Sequence, residues 1–217
     1  MNTDRIYLVL VPLLRRSVVR RARRRQEAFQ AEPSSPGRVV FLGDSITQRG
    51  DWEALFPELA TLNRGIDGDT TQDVLARLDG AIDRPLAVNL LIGTNDLHTD
   101  KELKDPAGIV ARLERIIAGI HGRAPGAMVF VNSMMPRTAF FAPRIRALNE
   151  RFRDVAERTG CVYVDLWPAL ADDAGALRKQ YTFDNLHLSP AGYDAWSEVL
   201  RPVLAPFART ATTEKDN

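Results

Sequence analysis

Val39-Val40-Phe41-Leu42-Gly43-Asp44-Ser45-Ile46-Thr47 is an apolar run that stops abruptly at a glycine, an acid and a hydroxyl. Four consecutive apolar residues, two of them β-branched, suit a strand covered on both faces of a parallel sheet. Gly43 permits the sharp exit that follows. A helix expected from about Ile46 to Leu55 would place Ser45 at its head, where free backbone N–H groups and the dipole favour developing negative charge. Such a place suits a nucleophile and its oxyanion. The plainer reading is that Asp44 or Ser45 only caps the helix, and the choice between the two rests on the rest of the chain.

From residue 38 onward, apolar strand-like runs alternate with helical patterns, which argues for βαβ units and a parallel sheet. The runs predict strands over 38–43, 59–64, 86–92, 127–133 and 161–166. Thr70-Thr71-Gln72-Asp73 has the form of a capping box opening a helix with Val74, Leu75 and Leu78 on one face. Asp105-Pro106 caps a helix carrying Ile109, Val110, Leu113, Ile116, Ile117 and Ile120 at helical spacing. Ile145, Leu148, Phe152 and Val155 mark another, and Ser189-Pro190 opens the last, with Trp196, Leu200, Val203 and Leu204 inward. The predicted architecture is a three-layer α/β/α fold on a five-stranded parallel sheet, in the flavodoxin-like order 2-1-3-4-5.

With 217 residues, 45% of them hydrophobic, the chain suits one sizeable domain plus a terminal extension. The net charge of +1 is unevenly spread: residues 1–30 hold eight arginines against Asp4 and Glu27, so the body is mildly acidic and no nucleic-acid partner is expected. Ile6 to Leu14 is too short for a membrane span and is broken by Pro12, and its arginines follow rather than precede it, unlike a secretory signal. Residues 1–37 read as an apolar, arginine-rich helical arm and a Pro/Ser linker, with either packing on the domain or peripheral contact with an anionic membrane as its purpose. The folded domain is expected over 38–217, with the tail from 210 frayed. Cys161 is the single cysteine, which excludes an internal disulfide and Cys-based metal or redox motifs and fits a reducing, cytoplasmic compartment. There is no G-x-G-x-x-G and no P-loop.

A serine nucleophile needs a base, and the chain has three histidines, at 98, 121 and 187. His187 lies in Asp184-Asn185-Leu186-His187, just before the last helix, where Asp184 at three residues' distance can accept one imidazole N–H and fix the tautomer. A hydrogen-bonded loop histidine is the competing reading. His121 ends a helix and needs no further role, while His98 remains a second candidate base. The third strand ends in Gly93-Thr94-Asn95-Asp96, and in the expected order strands one and three are neighbours, so Ser45 and Asn95 should meet. An amide there can donate to an oxyanion, and Gly65, closing strand two, can offer an unobstructed backbone N–H.

Gly43-Asp44-Ser45, Gly65, Gly93-Thr94-Asn95-Asp96 and Asp184-x-x-His187 occur in the order that resembles the SGNH hydrolases, also called GDSL esterases. Ile46 stands where the first block of that family carries leucine. The resemblance spans residues 38–206 and implies Ser45 as nucleophile, His187 as base, Asp184 as its partner, and Gly65, Asn95 and the Ser45 N–H as oxyanion donors. It implies neither metal nor organic cofactor. Gly65-Ile66-Asp67-Gly68-Asp69-Thr70-Thr71, Val74 to Leu78 and Met135-Pro136-Arg137 are most similar to the platelet-activating factor acetylhydrolase catalytic subunits, which implies a short acyl group. The expected substrate is a small-molecule ester hydrolysed through an acyl-enzyme. A lysophospholipase or acyl thioesterase with a longer channel is the alternative, with Met134, Met135, Phe140 and Phe141 as wall or as core filling, and Asp44 as a further substrate contact. A catalytically idle binding protein is the third reading.

Overall fold

The computed structural model describes residues 22–29, 36–99 and 105–208. The apolar run 6–14, the arginines up to Arg21, residues 31–35 of the linker and the tail from 210 lie outside the described residues. Five strands, β1 (Val39–Gly43), β2 (Thr61–Gly65), β3 (Ala87–Leu91), β4 (Met128–Asn132) and β5 (Val162–Val164), pair in parallel in the order β2-β1-β3-β4-β5. Each falls within two residues of its expected span. Sequence neighbours along a strand point to opposite faces, so Val40 and Leu42 enter one core and Val39 and Phe41 the other.

The helices are α1 (22–29), α2 (Ser45–Gln48), α3 (Trp52–Leu55), α4 (Thr71–Ala76), α5 (Leu78–Ala81), α6 (Asp96–Thr99), α7 (Pro106–Arg123), α8 (Ala142–Arg158), α9 (Trp167–Leu170) and α10 (Pro190–Leu204). Apolar side chains of α4, α5, α7 and α8 bury one sheet face, and those of α3, α9 and α10 bury the other. The expected caps form. Thr70 and Asp73 make both halves of the capping box, Asp105 accepts from the Gly108 N–H, and Ser189 accepts from the Gly192 N–H. Among the described residues, no helix is long and apolar enough to cross a membrane.

The single helix expected over Ile46–Leu55 is instead two short ones. Gly50 is a poor helix former, and Asp51 starts a new helix by accepting from the Ala54 N–H. Four residues cannot sustain a helix by themselves, so the carbonyls ending α2 are held from outside. Asn63 Nδ2 lies 3.1 Å from each of the Thr47, Gln48 and Gly50 carbonyls. Trp52 Nε1 donates to Thr47 O at 2.9 Å, and Tyr193 Oη to Ile46 O at 2.6 Å. The turn bearing Ser45 is thereby fixed by β2, α3 and α10 together.

Part of the N-terminal segment packs on this domain. Phe29 of α1 is buried, with the guanidinium carbons of Arg64, Arg25 and Arg77 at 4.5, 5.0 and 6.0 Å from its ring centroid. Arg25 Nε donates to Gly65 O at 2.7 Å, covering the outer edge of β2. Phe29→Ala is therefore expected to lower stability by roughly 3 kcal/mol, as buried aromatic truncations do, with the loss read from urea melts. An unchanged midpoint would make α1 an appendage.

Candidate active site

Ser45 and His187, separated by 142 residues in sequence, meet at the carboxyl ends of the strands. Ser45 Oγ lies 3.0 Å from His187 Nε2, and His187 Nδ1 lies 2.6 Å from Asp184 Oδ2. Since an ionised carboxylate can only accept, Nδ1 carries the imidazole proton and Nε2 is left to accept from the serine hydroxyl. His98, the other candidate, is carried on α6, and the ring at Ser45 Oγ is that of His187.

Gly43 makes the serine's position geometrically feasible. A Cβ there would fall 2.2 Å from Leu91 O and 2.3 Å from Thr47 Oγ1, so only glycine lets β1 turn this tightly beside β3. Asp184 is held as firmly as the ring it orients. Its Oδ1 accepts from the backbone N–H of His187 at 2.7 Å and of Leu186 at 3.0 Å. This tight loop passes through Asn185 at φ +61°, the left-handed region that asparagine tolerates better than most residues. Partial burial pushes the Asp184 carboxyl up, but the His187 ring, the two N–H bonds and the His187 charge outweigh it and hold it below the ordinary range.

Asn95 sits in the loop between β3 and α6, and its Nδ2 donates to Asp69 O at 3.0 Å. One amide N–H is spent on that anchor and the second remains for a ligand. Next to it, Asp96 accepts from the Thr71 N–H at 2.9 Å and the Thr71 hydroxyl at 2.6 Å, which fixes the head of α4 to the β3 loop.

Four residues expected at the site are placed otherwise. Gly65 does not present its N–H: that group donates to Asn63 Oδ1 at 3.0 Å, and a Cβ on Gly65 would fall 2.2 Å from Gln48 N. Its small size serves close packing of β2 against α2. The other glycine of the β2–α4 connection is Gly68, at φ +81° in the turn leading to Asp69, and the Asp67-Gly68-Asp69 spelling was the signal available for it. Asp44 is buried and caps α2, its Oδ1 accepting from the Ile46 N–H at 2.9 Å, so it is not a surface for substrate. Met134 and Met135 point to opposite sides of the sheet and fill the two cores. Phe140 alone of that group is exposed, under the Arg144 guanidinium, while Phe141 is buried beneath it. Phe183, beside Asp184, is 85% exposed.

Burial lifts the Asp44 carboxyl to about 7, against the pull of the Ile46 N–H, and the charges of Asp69, Asp96 and Asp67 add to the lift. Between 3.8 and about 7 the folded chain thus holds a proton that the unfolded chain releases. Asp44 therefore costs least stability below that window, and its cost grows as pH rises through it, by on the order of a few kcal/mol in all. Asp44→Asn keeps the acceptor for Ile46 and removes the titration. In thermal melts it should lose less stability than wild type between pH 5 and pH 8, and parallel pH profiles would overturn this assignment.

Residues 41–195 match the GDSL-like lipase/acylhydrolase family. The chain belongs to that family. It is 33% identical over 178 residues to the alpha1 subunit of platelet-activating factor acetylhydrolase IB from Bos taurus and equally to that from Homo sapiens, covering 76% of this chain and 74% of each relative. A solved chain from Streptococcus pneumonia, described as a candidate platelet activating factor, superposes with a TM-score of 0.82 at 28% identity, covering 90% of this GDSL-like chain and 98% of that one. A GDSL-like lipase from Bacteroides thetaiotaomicron shares the fold, with a TM-score of 0.74 at 22% identity over 85% and 97% of the two chains. Members of the GDSL-like family are hydrolases acting on esters.

Proposed function

We propose that this GDSL-like chain is a serine esterase that cleaves small carboxylic esters with short acyl groups. The observation that carries the reading is the continuous line Ser45 Oγ, His187 Nε2, His187 Nδ1, Asp184 Oδ2, with contacts of 3.0 and 2.6 Å. In this mechanism His187 takes the Ser45 proton as Oγ attacks the ester carbonyl, and the resulting imidazolium is stabilised by Asp184, which stays ionised. The tetrahedral oxyanion is held by the Ser45 N–H, the second N–H of Asn95 and a backbone N–H of the β2–α4 turn around Gly68. His187 returns its proton to the leaving alcohol, leaving an acyl group on Ser45. Water then repeats the cycle and releases the acid.

Two observations favour a short acyl group. Met134 and Met135, the side chains best suited to line a long channel, are committed to the cores, and the named relatives are acetylhydrolases. Each methylene that fits a pocket adds about 0.8 kcal/mol of burial, whereas one that meets a packed wall costs on the order of 1 to 3 kcal/mol. The trend of kcat/KM along p-nitrophenyl esters therefore reports the pocket. It is expected to peak between acetyl and butyryl and to fall clearly by octanoyl. A steady rise through decanoyl would replace this reading with a lysophospholipase or acyl thioesterase.

A further inference from the structure

Arg77 follows α4, is almost wholly buried, and touches no group proposed to reach substrate. Its hydrogen bonds nonetheless converge on the backbone behind the reacting groups. Nε donates to Asp69 Oδ2 at 2.6 Å. Nη2 donates to Gly43 O at 3.1 Å and to Arg64 O at 2.9 Å. Gly43 ends β1, one residue before the Asp44-Ser45 turn. Arg64 O belongs to the peptide entering Gly65 at the end of β2, and Gly43 O also accepts from the Ile66 N–H at 3.1 Å. Asp69 in turn offers its backbone carbonyl to Asn95 Nδ2 at 3.0 Å. One planar group is thus bonded to the strand bearing the nucleophile, to its neighbour, and to the residue anchoring the oxyanion amide.

We infer that Arg77 is a positioning residue, a guanidinium clamp that sets the distance from Ser45 to Asn95 by holding the ends of β1 and β2 and the Asp69 turn in one plane. The inference rests on the serine-esterase reading for its catalytic consequence. The physical ground is the fork itself. A guanidinium presents N–H groups in fixed directions and can meet a carboxylate and two carbonyls at once, whereas an ammonium on a flexible stem is a point charge that cannot reproduce that geometry. Released from the clamp, the Asp69 turn is free to shift, and Asn95 moves with the carbonyl that holds it. A displacement near 1 Å at a reacting centre costs on the order of a hundredfold in rate.

The test compares wild type, Arg77→Lys and Arg77→Gln, with sites counted by the end-point of fluorophosphonate labelling. Per titrated site, Arg77→Lys is expected to lower kcat by roughly tenfold to a hundredfold with KM within about twofold. Arg77→Gln should be worse; if it does not fold, the lysine variant carries the comparison. A kcat per titrated site equal to wild type, with loss confined to melting temperature or to the number of sites, would overturn the clamp and leave Arg77 a stabilising residue. The Asn95 side-chain amide resonances give a second readout that needs no activity. They should shift in Arg77→Lys, and unmoved resonances in Arg77→Lys would likewise overturn the clamp. If wild type neither labels nor turns over, the esterase reading fails, while these resonances still decide whether Arg77 positions Asn95.

Discussion

Ser45→Ala is expected to lower hydrolysis of p-nitrophenyl acetate by roughly a millionfold, and His187→Ala by a similar factor, with folding preserved in both. The nucleophile and base act as one unit: without Nε2 at 3.0 Å the hydroxyl is not deprotonated as it attacks, and without the hydroxyl the imidazole has nothing to activate. The double variant should consequently be no slower than either single variant, to within a small factor. The experiment is steady-state kinetics at saturating ester on proteins whose melts match wild type. A Ser45→Ala protein within tenfold of wild type would remove the nucleophile assignment. Full activity in His187→Ala would direct attention to His98, on the helix after Asn95.

Asn95→Ala should lower kcat by about a hundredfold to a thousandfold with little change in KM. The asymmetry follows from the charge. A neutral ester carbonyl in the ground state gains little from one more donor, whereas the oxyanion of the tetrahedral intermediate gains a charge-assisted hydrogen bond. Because the other amide N–H is tied to Asp69 O, the group stays pointed as the substrate enters and no reorganisation is required. The alanine variant also frees Asp69 O, so a loss of stability is expected beside the kinetic one. The two separate cleanly: kcat per folded molecule reports the oxyanion, and the urea midpoint reports the anchor. A folded Asn95→Ala protein with wild-type kcat would confine Asn95 to holding the turn.

Much of this was legible in the chain because the signals are local. Strand β1 is a run of apolar residues ended by a glycine, and the cap residues at Thr70, Asp105 and Ser189 are read from neighbours within three positions. The Asp184–His187 pair is of the same kind, since a three-residue loop brings carboxylate and ring together wherever that loop lies. The expectation that Ser45 and Asn95 should meet rests on strand order, and β1 and β3 are indeed neighbours in the sheet.

Where the reading from sequence went astray, partners distant in sequence decided the outcome. Gly65 resembled a donor because it closes a strand, yet Asn63 and the α2 backbone claim its N–H and its empty side. For Met134 and Met135 the sequence left channel wall and core filling open, and the core reading holds because the chain leaving β4 sends one to each face of the sheet. The α2–α3 break depends on carbonyls satisfied by Asn63, 13 to 16 residues away. The burial of Phe29 depends on three guanidiniums from α1, β2 and the end of α4. By itself the sequence determined the elements, their order and the chemical types at the strand ends, since backbone propensity, capping and hydrophobic period act over a few residues. Only the tertiary structure decided which polar atoms remain free to meet a substrate, because a hydrogen-bonding group already paired across the fold has no donor left to offer.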